Sequence, residues 1–313
     1  MQMEEDHDPL LSQIDKVILV AVPQAGSPET ISSILHGEDL GTQGITMTAQ
    51  TERSLALTFP SMYQILPNDS LLRSISTSGI DPIHFTTKSS SVATGSPSDY
   101  SKQISKYGNS IQSATSLYSY VRGAEGRVVP DPSDLYRPAV GYKNMMDYAS
   151  IRKAKLDSYV PTSTIAVTQI AGYGIPTILG YDYGYTVGCV EYMASTSTSP
   201  LLPTPLICKH SASSPRHNMT LSVNGDGTVP VPSALWMDTA SHANVRSLWV
   251  DLKQYNKDYA YSLSLRKEHK NILAVPDLVS QLSHLIQGYS LVTENYIHLS
   301  PISSPSTGYI TIH

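Results

Sequence analysis

The 313-residue chain is 40% hydrophobic and 15% charged, which is typical of a packed globular protein and not of a disordered one. Its net charge is −5 and no run of Lys and Arg occurs, so the electrostatic footprint of a nucleic-acid-binding protein is missing. The longest strongly apolar run, residues 17–22, is too short to cross a bilayer. The acidic residues after Met1 are unlike the positively charged start of a signal peptide.

Residues 17–22 form the first predicted element. This run is continuously apolar and rich in β-branched residues, a pattern typical of a strand buried on both faces of a parallel sheet. Residues 23–28 follow as a sharp loop. Ser27 and Pro28 form an N-cap and first-turn pair, so we predict a short helix from Pro28 towards His36.

Residues 41–161 differ in character from the segment before them. Ser, Thr, Tyr and Pro dominate, and a structureless loop of this length is implausible within a compact domain. We therefore predict an inserted cap of short helices and loops, with helical stretches near residues 61–66 and 100–120. Residues 89–96 have the composition of a flexible linker.

The part of the chain after the cap alternates strands with turns and ends in a helix. Apolar residues recur at helical spacing over residues 278–286, and Gly288 stands where a C-terminal cap is expected. The strands at residues 180–187 and 219–223 are predicted to form a half-exposed antiparallel pair, with a Ser/Pro-rich excursion over residues 196–216 between them. The strands predicted here cover residues 164–170, 180–187, 219–223 and 245–250.

This order of elements predicts an α/β fold with an excursion after the first strand. Residues 1–40 and 162–288 are expected to form the core, and residues 41–161 the cap. Residues 289–313 are expected to form an extended tail, interpreted as the possible start of an accessory β domain. The fold class by itself licenses no function.

Asp226 is the first candidate catalytic residue. It lies in Asn-Gly-Asp-Gly-Thr-Val-Pro, residues 224–230, directly after a predicted strand. Asn-Gly and Asp-Gly are strong turn dipeptides, so on local grounds a plain tight turn is the favoured interpretation. The functional alternative is a carboxylate that orients a catalytic imidazole and stabilises the imidazolium.

His269 is the second candidate, because it lies after the last predicted strand and before the last helix. In serine hydrolases of the α/β type the triad follows the order Ser, acid, His, and Asp226 with His269 fits that order. The chain has ten histidines, so an ordinary surface or helix-capping role is the alternative.

No nucleophile is apparent in the sequence. The elbow motif G-x-S-x-G would present a serine on a strained turn between a strand and a helix, and no glycine of this chain begins that motif. Metal-binding spacings and phosphate-binding glycine loops are also missing, so we predict neither a metal nor a cofactor. Cys189 and Cys208 are the only cysteines, and the choice between one disulfide and two buried thiols stays open.

Five segments in the right order resemble the lecithin:cholesterol acyltransferase-like family of α/β-hydrolases. Residues 14–28, with Pro23 and Gly26, resemble the strand and "TPxxGSP" loop after the nucleophile helix, although Val22 replaces the usual Thr. Residues 164–177 resemble the strand and turn after the cap. The other three segments are the cap segment with Arg53, Ser61 and Tyr63, the acid motif with Asp226, and the histidine motif with His269. The resemblance implies substrate or cap roles for Pro23, Gly26, Arg53, Ser61 and Tyr63.

This resemblance reverses the local preference for a plain turn at Asp226 and implies a Ser-Asp-His triad. In the family the serine lies shortly upstream of the first loop, so we expect it before Met1 and expect this chain to be a C-terminal portion. The resemblance also implies that the substrate is a lipid ester: a phospholipid, acylglycerol or sterol ester. The resemblance also implies an extracytoplasmic or lipid-surface setting, and the isolated chain is expected to be marginal or aggregation-prone because residues 17–22 lack their neighbouring strand.

Two alternatives accompany this interpretation. A pseudoenzyme or binding module of the same descent explains an acid and a histidine without a nucleophile. A serine elsewhere in the chain, such as Ser61 in the cap segment, is the other alternative, and no strained elbow is evident around it.

Overall fold

The computed structural model describes residues 8–38, 47–86, 100–157, 159, 161–194, 206–237, 242–260, 265–299 and 309–311. The linker predicted at residues 89–96 lies outside this part of the chain. The helices are α1 (Glu29–His36), α2 (Ala49–Thr58), α3 (Pro60–Gln64), α4 (Asp69–Thr77), α5 (Ser101–Tyr107), α6 (Ala114–Val121), α7 (Lys143–Asp157), α8 (Val231–Ala234), α9 (Leu252–Tyr259) and α10 (Pro276–Gln287). The strands are β1 (Lys16–Val20), β2 (Ile83–Phe85), β3 (Ser110–Ile111), β4 (Ala166–Tyr173), β5 (Thr177–Ala194), β6 (Leu206–Ser222), β7 (Val245–Asp251), β8 (Ile297–His298) and β9 (Tyr309–Thr311).

The first sheet has the order β1-β4-β7-β8 and carries the candidate site at one end. β1, β4 and β7 run parallel, as the apolar strand at residues 17–22 predicts, and β8 from the tail pairs antiparallel with β7. Helices α9 and α10 cover one face, where Leu248, Leu252 and Leu278 are fully buried. Because the parallel strands run in the same direction, the loops that follow them lie together at one end of the sheet.

The second sheet has the order β3-β2-β5-β6-β9 and is built around one long hairpin. β5 and β6 pair antiparallel, as predicted for residues 180–187 and 219–223. The predicted Ser/Pro-rich excursion over residues 196–216 is wrong in its second half, because β6 begins at Leu206. Pairing with β5 overrides the weak strand propensity of these polar residues.

The predicted cap region shares this second sheet and its core. β2 lies parallel to β5, and buried side chains of α1, α3, α6 and β5 form one cluster. The helical stretch predicted at residues 100–120 is two helices, α5 and α6, separated by the short strand β3. Gly108, with φ +73°, ends α5 and allows that reversal.

The register of β5 and β6 bears on the two cysteines. Cys189 lies opposite Ser211, and Cys208 lies opposite Tyr192, three positions further along the ladder. Three positions correspond to about 10 Å along a strand, whereas bridged cysteines have Cα atoms no more than about 7 Å apart. In the backbone register of this ladder the two cysteines are therefore not cross-strand neighbours.

The loop between β1 and α1 makes a close turn against the rest of the core. Ala21 at the end of β1 has φ +54°, which breaks the strand. The predicted N-cap role of Ser27 is wrong: Pro28 occupies the cap position, and Ser27 Oγ donates to the carbonyl of Thr228 at 2.7 Å instead. The loop is thereby fastened to the segment that carries Asp226.

Among the helices of the described residues, none is both long and apolar enough to span a bilayer.

Candidate active site

Asp226 lies on a tight loop after β6 that its neighbours hold through backbone contacts. The amides of Thr228 and Val229 donate to Asp226 Oδ1 at 3.1 and 2.7 Å. Thr177 Oγ1 accepts from the amide of Gly227 at 2.8 Å, and Gly227 has φ +102°, a conformation that favours glycine. The Asn-Gly-Asp-Gly sequence thus supplies both the turn and a fixed carboxylate.

His269 opens a 3-10 helix, His269–Ala274, and meets this carboxylate directly. Its Nδ1 lies 2.9 Å from Asp226 Oδ2, and its backbone amide donates to the Asp226 carbonyl at 2.8 Å. Because a carboxylate oxygen only accepts, Nδ1 carries a proton, and in the neutral ring Nε2 is left with a free lone pair. The side chain of Asp226 is 1% exposed and that of His269 is 32% exposed, so a buried acid orients an accessible imidazole.

The hydrogen bond to Asp226 raises the pKa of His269 above its ordinary value. Burial opposes this by disfavouring the charged ring, and the negative charge of Asp226 adds to the increase. The net effect is a raised pKa, so the ring of His269 holds a proton more readily than a free imidazole does. Such a pair suits general acid–base chemistry near neutral pH.

A cavity of about 730 Å³ adjoins the pair. Asp226 and His269 line it together with Pro23, and apolar side chains form much of its wall. The apolar wall residues are Met62, Ile65, Pro176, Ile178, Met219, Leu221 and Val229. The volume lies within the range of small-molecule sites and the lining fits an aliphatic ligand.

Pro23 and Gly26 of the first loop were predicted as substrate or cap residues. Pro23 lines the cavity, whereas Gly26 is set against the cap segment. Gly26 has φ +97°, and a Cβ there would lie 2.5 Å from the backbone oxygen of Leu66. The structure therefore gives Gly26 a close backbone approach, and no side chain larger than hydrogen fits there.

Arg53, Ser61 and Tyr63 are not among the described residues that line the cavity. Arg53 is buried, and its guanidinium donates to the carbonyls of Asp131, Pro132 and Asp134 at 3.0, 2.6 and 2.8 Å. Ser61 is exposed on α3.

Tyr63 is fully buried and carries out a packing role in the cap region. Its hydroxyl donates to the carbonyl of Leu57 at 2.9 Å and accepts from the amide of Tyr142 at 3.1 Å. Burial raises its pKa.

Most residues of the cavity wall were not predicted from the sequence. Met62 and Ile65 are three positions apart in and after α3, a spacing that could have marked them as one face. Met219 and Leu221 alternate along β6, which could have marked a common side. Which of these faces meets the candidate pair depends on tertiary packing, which no local pattern encodes.

A second acid–histidine contact occurs elsewhere. His84 Nδ1 lies 2.9 Å from Asp182 Oδ1, with both side chains half-exposed on the second sheet. Neither residue lines the 730 Å³ cavity.

Within the described residues no cluster of three or more His, Cys, Asp or Glu side chains is arranged to hold a metal ion.

Parallel strands covered by helices, with a hydrogen-bonded acid and histidine on the loops beyond one end of the sheet, define an α/β protein. The family model of lecithin:cholesterol acyltransferase matches residues 6–276, and the chain belongs to that family. None of the curated proteins compared with the chain matches it.

Proposed function

We propose that Asp226 and His269 are the acid and the base of a serine triad that transfers an acyl group from a lipid ester to water or to an alcohol. The hydrogen bond from His269 Nδ1 to the buried Asp226 carboxylate, beside an apolar cavity, is the observation that carries this proposal. Membership of the lecithin:cholesterol acyltransferase family supports a lipid acyltransferase or lipase type of function.

The chemistry requires a nucleophile that His269 can deprotonate. The serine Oγ attacks the ester carbonyl while its proton passes to His269 Nε2, and Asp226 stabilises the imidazolium. Collapse of the tetrahedral intermediate returns that proton to the leaving alcohol and leaves an acyl-serine. Water or an acceptor alcohol then gives its proton to His269 and attacks the acyl-serine; His269 returns that proton to the serine Oγ as the acid or the new ester is released.

The serine is proposed to lie upstream of this chain, on the turn that follows a strand paired with the open edge of β1. No G-x-S-x-G motif occurs in this sequence, and β1 pairs only with β4 in the described part of the chain. Val17 and Leu19 of β1 line an apolar groove of about 440 Å³ with Leu156 of α7, a surface suited to a covering helix. A strand parallel to β1 would end beside Pro23, at the mouth of the cavity.

Residues 41–161 are proposed to act as the cap over the acyl site. Met62 and Ile65 already contribute to the cavity wall from this region, which supports the assignment. An apolar cover excludes water from the acyl-serine and so influences whether water or an alcohol accepts the acyl group.

The proposal is tested by sequencing the reading frame upstream of the Met1 codon and assaying the protein it encodes. We expect a strand, Gly-x-Ser-x-Gly and a helix, a serine that reacts with a fluorophosphonate, and turnover of a phospholipid or acylglycerol. His269→Ala should abolish turnover. His84→Ala is the matched control, because it removes an imidazole from another Asp–His contact and should leave turnover intact.

Two results would overturn the proposal. An upstream stop codon with no elbow motif would make Asp226 and His269 relics and favour a binding module. Full turnover in a folded His269→Ala variant would remove His269 from the reaction even if the serine is present.

A further inference from the structure

The backbone that precedes His269 is held by two asparagine side chains. Asn256 on α9 accepts from the amide of Lys267 at 2.7 Å and donates to the carbonyl of the same residue at 2.8 Å. Asn271 accepts from the amide of Glu268 at 2.7 Å and donates to the carbonyl of Arg266 at 2.8 Å.

These four hydrogen bonds secure two successive peptide units. The unit joining residues 266 and 267 has its C=O bound by Asn271 and its N–H bound by Asn256. The next unit, joining residues 267 and 268, has its C=O bound by Asn256 and its N–H bound by Asn271. A side-chain amide can serve both groups because it carries one acceptor and two donors. We call Asn256 and Asn271 the asparagine clamp.

The clamp continues into the candidate pair. Glu268 is extended, with φ −150° and ψ −174°, and the amide of His269 then donates to the Asp226 carbonyl at 2.8 Å. The backbone is thereby tied at residues 266, 267, 268 and 269 in succession. A loop with this many fixed groups presents its side chain in one orientation, which the ring needs to reach Asp226.

Asn256 is itself placed by the first sheet. α9 begins directly after β7, and Asp251 caps it by accepting from the amide of Gln254 at 2.8 Å. Leu252 and Tyr255 bury the inner face of α9. The end of β7 therefore fixes the position of Asn256, and Asn256 fixes the backbone that leads to His269.

We propose that Asn256 and Asn271 are positioning residues that hold the imidazole of His269 against Asp226. Neither side chain lines the cavity, so both act through the loop and not on a bound ligand. The consequence for turnover rests on the proposed function of His269 as general base. The predicted change in the orientation and titration of the His269 ring does not rest on that function, because it concerns only the hydrogen bond between His269 and Asp226.

The test is an NMR titration of His269 in the full chain, with the Nδ1 proton observed directly. The wild type should titrate above about 6.5, the ordinary value. Asn256→Ala and Asn271→Ala should each lower the pKa and make the Nδ1 proton exchange faster or disappear. The other charged groups that line the cavity near the ring, Glu29, Glu268 and Lys270, are unchanged in both variants.

Asn244→Ala is the matched control. Asn244 also uses its amide to bind backbone groups, donating to the carbonyls of Thr162 and Ile165 at 2.9 and 2.8 Å, but it lies just before β7, at the opposite end of that strand from α9. This variant loses two hydrogen bonds of the same kind and should keep the His269 titration of the wild type.

Amide hydrogen exchange in the wild type gives a second measurement that needs no variant. The amides of Lys267 and Glu268 should be protected, because each donates to a clamp oxygen at 2.7 Å. Unprotected amides would overturn the clamp. An unchanged titration and an unchanged Nδ1 proton in folded Asn256→Ala and Asn271→Ala would overturn it as well.

Activity then separates this inference from the proposed function. In a protein that carries the nucleophile, Asn256→Ala should lower kcat by about tenfold and leave KM unchanged, because the defect lies in orientation. An altered titration with unchanged kcat would leave the clamp standing and refute the general-base role of His269.

Discussion

His269 in the candidate active site and His36 at the end of α1 are held by opposite kinds of partner. His36 is fully buried: its Nδ1 donates to the Leu135 carbonyl at 2.7 Å, and its Nε2 accepts from the Tyr183 hydroxyl at 2.9 Å. Burial, and next the neighbouring His217, lower its pKa well below the ordinary value. A carboxylate instead raises the pKa of His269. Burial therefore favours the neutral ring of His36, whereas the buried carboxylate beside the cavity favours the protonated ring of His269.

Removing the carboxylate is the strongest way to break this contrast. Asp226→Asn leaves a neutral group beside His269, so burial becomes the dominant influence and the pKa of His269 should fall below about 6.5. In a protein that carries the nucleophile, kcat should fall by about 10⁴-fold, the loss typical of this change in serine triads. NMR titration and steady-state kinetics measure the two effects.

Asp182→Asn is the control for this change. It alters a different Asp–His contact, the one with His84, which does not line the cavity. The rate and the His269 titration should both match the wild type. A His269 pKa that stays raised in Asp226→Asn would mean that another group supplies the charge.

The same contrast marks what the sequence could predict. β1, β4, β7 and α10 carry strong local patterns, and each is present close to its predicted bounds. Asp226 and His269 stand in short motifs, and the structure places them 2.9 Å apart. Patterns of this kind are visible because they depend on neighbouring residues in the chain.

The features that could not be predicted depend on contacts between residues that are distant in the sequence. Asn256 binds Lys267 eleven residues away, with no periodicity to reveal the contact. Arg53, predicted as a substrate or cap contact, donates to carbonyls 78 to 81 residues away along the chain. β6 extends into polar residues because β5 provides a ladder for it. Tertiary packing decides each of these cases.

Arg53→Met tests the region around His36 next. Arg53 donates to the carbonyls of residues 131, 132 and 134, and the same segment supplies the Leu135 carbonyl that binds His36. Loss of the guanidinium leaves several carbonyls without their donor, so the free energy of unfolding should fall by about 3 kcal/mol. Urea denaturation measures the change.

Arg137→Met is the control for Arg53, because its side chain is 52% exposed and its loss should cost less than about 0.5 kcal/mol. The candidate site should be unaffected by Arg53→Met, with His269 titrating as in the wild type. Equal destabilisation by the two substitutions would show that the buried carbonyl contacts of Arg53 contribute little.

The pH dependence of stability gives the smallest and most discriminating prediction. The folded pKa of His36 is below its unfolded value of about 6.5, so the unfolded chain takes up a proton first. Stability should therefore fall as the pH drops below about 6.5, by at most about 1.4 kcal/mol per pH unit for this group. The charged groups near this ring are Arg53, Arg127 and Glu38, the last through its 3.0 Å contact with His217.

His269 contributes with the opposite sign. Its folded pKa is raised, so its contribution is complete below about 6.5 and is lost as the pH rises through the folded pKa. Urea unfolding at several pH values should show a weaker acid-side loss in His36→Gln and a weaker alkaline-side loss in His269→Gln. If both substitutions flatten the same side of the profile, the two imidazoles share one kind of environment and the contrast between the two regions is wrong.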